Sequence, residues 1–147
     1  MPLPRRTPLE RRTPMPRGSS ELKRTPMPAR RANPRRYFAK AIPETVRRQV
    51  LARDDRACCR CGHSVIGQRY SLHHRKPRSQ GGEHTTANLV TLCGTGTTGC
   101  HGWVESFRDR AREAGWLVPR SVDPATVQVR TWQHGLAWPG DTWIPVD

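Results

Sequence analysis

The chain has 147 residues with 34% hydrophobic content, enough for one modest core and too little for several domains. Lys and Arg outnumber Asp and Glu 26 to 12, a formal net charge of +14, so the expected partner is a polyanion, with nucleic acid the first candidate. No apolar run reaches the length of a bilayer span, and the opening MPLPRRTPLE has no stretch like a signal peptide, so a cytoplasmic location and no membrane partner are expected.

The charge is uneven. Residues 1–40 hold twelve Lys or Arg against Glu10 and Glu21, while the other 107 positions carry only +4. Residues 1–36 place Pro at 2, 4, 8, 14, 16, 26, 28 and 34 around a loose repeat, RRTPLE, RRTPMP, KRTPMP. Proline at that spacing defeats both helix and sheet, so a disordered or polyproline-like basic arm is expected, lying along phosphates or serving as a solubilising tail.

From Pro43 the pattern changes. Proline suits a first helical turn, and Val46, Val50 and Leu51 share a face, predicting a short amphipathic helix that ends near Asp54. Arg69 to His73 and Asn88 to Cys93 read as two short strands joined by a long polar loop. Val104, Phe107, Ala111 and Ala114 recur at helical spacing, predicting one helix over 100–114 capped by Gly115. Trp132, Trp138 and Trp143 lie among β-formers with turn residues Gly135 and Pro139-Gly140, which predicts a small hairpin. The expected class is α+β, divided as an arm (1–36), a zinc-stabilised domain (37–118) and a β-rich C-terminal extension (119–147).

Five cysteines in a reducing compartment point to metal rather than disulfides. Cys58 and Cys61, followed by Gly62, have the spacing of a metal knuckle; Cys93 closes the second strand and Cys100 opens the helix, so the four are expected to bind a structural Zn²⁺. The C-x6-C spacing of the second pair is wide and needs the Gly-Thr insert to fold back, and Cys59 is a fifth thiol able to compete for a ligand position.

His73 and His74 adjoin at a strand end, and neighbours on a strand face opposite ways, so the two cannot share one job. The ordered set L-H-H-x-x-P-x-S-Q-G-G, N-L-V-x-L-C and C-H resembles the HNH endonuclease family, including phage HNH proteins and colicin nuclease domains, over about Val46 to Trp116. The resemblance implies a ββα-metal core with one catalytic divalent ion (Mg²⁺, Mn²⁺, Ni²⁺ or Zn²⁺), DNA as substrate, His73 and His101 as metal ligands, His74 as general base, and Asn88 bracing the loop or touching the metal. Glu105, one turn after His101, is either a further ligand or an ordinary surface carboxylate. Arg75, Lys76, Arg78, Arg108 and Arg112 are expected to contact DNA. Three functional readings follow: a DNA-cutting enzyme, a catalytically inactive zinc-stabilised nucleic-acid-binding module, or a phage packaging nuclease acting beside a terminase in the host cytoplasm. No register assigns His63, His84 or His134 a role, although His84 in the polar loop is placed to approach substrate.

Deleting residues 1–36 is expected to weaken DNA binding and flatten its salt dependence without abolishing chemistry, measured as the slope of log affinity against log salt. An unchanged slope would reduce the arm to a spacer.

Overall fold

The computed structural model describes residues 41–146; the basic arm lies outside the described residues. Helix α1 spans Glu44–Arg53, with Glu44 in its first turn and Arg53 in its last, the charge order its dipole favours. Strands β1 (Tyr70–His74) and β2 (Leu89–Cys93) pair antiparallel, Tyr70 opposite Cys93 and His74 opposite Leu89. Helices α2 (Gly99–Ser106) and α3 (Arg108–Glu113) follow, then strands β3 (Val129–Thr131), β4 (Gly135–Trp138) and β5 (Ile144–Pro145) in the order β3-β4-β5. This is the expected α+β class, with two small sheets. Among the described residues no helix is long and apolar enough to cross a membrane.

Strand β2 explains the layering. Its first four residues are all buried, because alternate side chains serve two different clusters. Leu89 joins Val50 and Leu72 beneath α1, whereas Val90 and Leu92 join Val104, Ala111 and Trp116 on the other face. The β1–β2 hairpin is thus sandwiched, and His73, opposite Val90, is carried toward α2.

The single helix expected over 100–114 is two. Phe107 breaks it with φ −113° and ψ 58°; its ring lies 5.5 Å from Trp103 and is 48% exposed. The apolar spacing treats Phe107 as core, but Ala111, Trp116 and Leu117 already fill that place, and the bulkier ring stays outside. Gly115 ends α3 as expected, and the chain then doubles back with Trp116 N–H donating to the Ala111 carbonyl at 2.7 Å.

The C-terminal hairpin is a three-stranded sheet, and it belongs to the core: Val129 and Ala137 are fully buried, Arg130 N–H donates to Ala114 O, and Trp132 N–H donates to Cys59 O. Two buried arginines join the pieces. Arg53 donates to Asp54 at 2.7 Å and to the carbonyls of Thr86, Leu89 and Gly140, and stacks on Trp143; the Trp143 indole in turn donates to Asp54 at 3.0 Å.

Arg75 corrects an expectation. It is fully buried, and its guanidinium donates to four backbone carbonyls, those of Gly115 (2.7 Å), Ala87 (3.0 Å), Pro124 (2.9 Å) and Val127 (2.7 Å). Four of its five N–H groups are engaged within the fold and the side chain is closed off from solvent, so Arg75 acts as a structural clasp in place of the expected DNA contact. Burial and the charge of Arg53 push its pKa down to about 9, which still leaves it cationic at neutral pH.

Arg75→Met is expected to lower stability by about 3–5 kcal/mol in urea denaturation, because it strands several buried carbonyls. Arg75→Lys should fail to rescue, since one ammonium cannot span the fork. Lost DNA affinity at unchanged stability would reverse this assignment.

Candidate metal centres and active site

The long loop between the strands is pinned before any chemistry begins. Asn88, 1% exposed, accepts from Lys76 N–H at 2.7 Å and donates to the carbonyls of Glu83 (2.8 Å) and Lys76 (3.2 Å). A Cβ at Gly82 would meet the Lys76 carbonyl oxygen at 1.8 Å, so only glycine lets the loop close this tightly. Both ends of the Asn88 amide are thus engaged within the loop.

Beyond β1 this brace leaves a cavity of about 240 Å³ lined by His73, His74, Pro77, Arg78, His101 and Glu105. Donor atoms of His73, His101 and Glu105 lie within 4.8 Å of one another. His73 is buried, and its Nε2 is 3.1 Å from the Trp116 carbonyl, an acceptor; Nε2 therefore carries the proton, and Nδ1 is left bare, 4.0 Å from Glu105 Oε1. His101 Nε2 is also 4.0 Å from that oxygen, while its Nδ1 is buried without a hydrogen-bond partner. The other oxygen of Glu105 accepts from Arg108 at 2.8 Å, which orients the carboxylate. Burial, reinforced by the charge of His101, drives the His73 pKa down to about 3, and burial lowers that of His101 against the pull of Glu105. Two neutral imidazoles and one carboxylate suit a divalent ion of the first transition row. Glu105 is thus close enough to both imidazoles to share one ion with them.

His74 is half-buried, and its pKa falls to about 4 through burial and the nearby His84 and Arg78. Its Nε2 lies 2.9 Å from His84 Nδ1, and His84 Nε2 meets the Arg78 guanidinium. Sequence register gave His84 no role, because contact between positions 74 and 84 depends on how the loop folds. The other expected DNA contacts differ in what they touch. Lys76 donates to the Val122 carbonyl, Arg108 is engaged with Glu105, and Arg112 pairs with Asp109 on the exposed face of α3.

A second cluster lies at the far end of the hairpin. One donor each from Cys58, Cys61, Cys93 and Cys100 falls within 4.8 Å of the others, with the Cys61 and Cys93 sulfurs 3.8 Å apart. A tetrahedron with Zn–S bonds of about 2.3 Å has an edge of about 3.8 Å, so the cluster fits a zinc site. The wide C-x6-C spacing is accommodated because the insert folds back. Gly94 has φ +84° and donates to the Arg69 carbonyl, and Thr95 and Thr98 exchange backbone hydrogen bonds. A Cβ at Gly94 would come within 2.1 Å of the Thr98 carbonyl oxygen. Burial raises the Cys58 and Cys100 thiols; at Cys93 the Cys100 N–H and neighbouring thiols outweigh burial and lower it. Arg60 donates to Cys100 Sγ at 3.5 Å, and His63 Nδ1 lies 3.2 Å from Cys61 Sγ. Cys59 stands apart from the cluster: it is buried near Asp54, and burial with that carboxylate raises its thiol well above the ordinary value.

Residues 58–101 match the family model for HNH endonuclease. This segment is an HNH domain. It runs from the first thiol of the cysteine cluster to the histidine on α2, and it supports a nuclease or nucleic-acid-binding function. Neither the search of curated proteins nor that of solved structures found a match.

Metal analysis of the purified protein is expected to find one tightly held zinc ion per chain, retained in Cys59→Ala and lost, with unfolding of the HNH domain, in Cys61→Ser. Zinc loss from Cys59→Ala alone would reassign the fourth ligand.

Proposed function

We propose that the protein is a divalent-metal-dependent endonuclease that hydrolyses DNA phosphodiester bonds, with a structural zinc ion on Cys58, Cys61, Cys93 and Cys100. The observation that carries this reading is the meeting of His73, His101 and Glu105 in one cavity with a neutral histidine, His74, at its wall. A binding module has no need of a base beside three metal donors.

In this reading His73, His101 and Glu105 hold the catalytic ion, and Arg108 keeps Glu105 turned toward it. When bound there, a divalent cation stabilises the negative charge that builds on the scissile phosphate and its leaving oxygen. His74 removes a proton from the attacking water. With Nε2 engaged by His84, Nδ1 is the nitrogen left to receive it. Asn88 acts as a positioning residue by fixing the loop that carries Arg78 and His84. Backbone phosphates on either side of the cut meet the basic groove formed with Arg112 and Arg120, which lies beside Pro77 at the edge of the cavity. The grip is on the backbone, so little intrinsic sequence choice is expected.

Supercoiled plasmid incubated with the protein and Mg²⁺, Mn²⁺, Ni²⁺ or Zn²⁺ should be nicked or linearised. His74→Ala should cut at least about 100-fold more slowly while still folding and binding DNA, and Glu105→Gln should raise the metal concentration needed for half-maximal rate. Undiminished cutting by His74→Ala would overturn the base assignment.

A further inference from the structure

The chain of contacts Arg78, His84, His74 has a direction. A guanidinium carries five donors and no acceptor, so in its contact with His84 it is Arg78 that donates and His84 Nε2 that accepts. A neutral imidazole has one N–H, and with Nε2 accepting, the proton of His84 sits on Nδ1. That N–H donates to His74 Nε2 at 2.9 Å. His74, neutral in turn, must then carry its own proton on Nδ1, the nitrogen left to meet water. In this arrangement neither nitrogen of His74 offers a lone pair to an attacking water.

We propose that Arg78 is a substrate-released latch on the general base: while it donates to His84 it holds His74 in the unreactive tautomer, and a nucleic-acid phosphate frees the base by drawing the guanidinium away. The inference rests on the reading of His74 as base. Arg78 is suited to the part because it lines the same cavity as His73, His101 and Glu105, within reach of a phosphate held there. Guanidinium bonds to phosphate are charge-assisted on both sides, whereas the bond to neutral His84 is charged on one side only, so phosphate wins the competition.

Once Arg78 leaves, His84 Nε2 takes a proton from solvent, the His84 Nδ1 proton passes to His74 Nε2, and the His74 Nδ1 proton departs to solvent. No net proton is gained or lost. The hydrogen bond between the rings persists with its polarity reversed, now from His74 Nε2–H to His84 Nδ1. His74 Nδ1 is bare and able to take the proton of the attacking water. His84 thus becomes a positioning residue that fixes which nitrogen is basic, and Arg78 couples that choice to the presence of substrate.

Long-range ¹H–¹⁵N spectra of the full chain labelled at histidine nitrogens, recorded with its zinc but no added catalytic metal, read the tautomers without any turnover. Free protein should show His74 protonated at Nδ1, and a short DNA duplex should move the proton to Nε2. Arg78→Met should show the Nε2–H form with no DNA present. In the plasmid assay Arg78→Met should raise KM, whereas His84→Ala should lower kcat about tenfold or more, and His84→Asn, whose amide oxygen can accept from His74 Nε2–H, should recover most of it. An Nε2–H His74 in the free wild-type protein, or an Nδ1–H His74 persisting in Arg78→Met, would overturn the latch even if the enzyme cuts DNA. Absence of cutting with the expected tautomers would instead overturn the base assignment alone.

Discussion

Four carbonyls from three separate stretches of chain converge on one buried guanidinium, and the position of every other part of the site follows from it. Arg75 stands directly after the histidine pair, and its side chain gathers the end of α3 at Gly115, the start of β2 at Ala87 and the crossing segment at Pro124 and Val127. Its own backbone continues the ladder, donating to Asn88 O and accepting from Val118 N–H. Removing a full charge from water is costly. Four aligned carbonyl dipoles offset that cost only if all three segments arrive together, which makes the clasp cooperative. The carbonyl that orients His73 belongs to Trp116, next to one of the clasped residues.

Around that clasp the HNH domain carries two donor clusters of opposite chemistry. The cysteine cluster gathers soft thiols that must lose protons to bind, with Arg60 and backbone N–H groups supplying compensating positive charge. The histidine cluster gathers imidazoles that burial keeps neutral, ready to bind without losing a proton. Cys100 and His101 are adjacent on α2, so the same helical turn feeds both clusters. Order in the cysteine cluster is therefore transmitted to the histidine cluster through a single peptide unit.

Much of this was legible in the sequence, because it depends on local spacing. The knuckle of Cys58 and Cys61, the strand-end histidines, the helix from Glu44 and the cap at Gly115 are each set by residues a few positions apart. The sequence could not show that Arg75 is buried: a basic loop beside a nucleic-acid site reads as phosphate-binding until the carbonyls that consume it are seen. His84 escaped for the same reason, since its partner is ten residues away across an irregular loop. The split of the expected single helix at Phe107 reflects competition for core volume, which periodicity does not register.

The bond from Trp143 to Asp54 spans 89 positions, and that from Arg53 to Gly140 spans 87. Asp54 is almost wholly buried, and it also accepts the Thr91 N–H of β2. Until Trp143 docks, this carboxylate lacks one donor, and the face of α1 and β2 that Trp143 covers stays open. Contacts of such long range form slowly. Docking of the segment that carries Trp143 therefore completes the burial of Asp54, and with it the support for the strand that pairs with the histidine-bearing one.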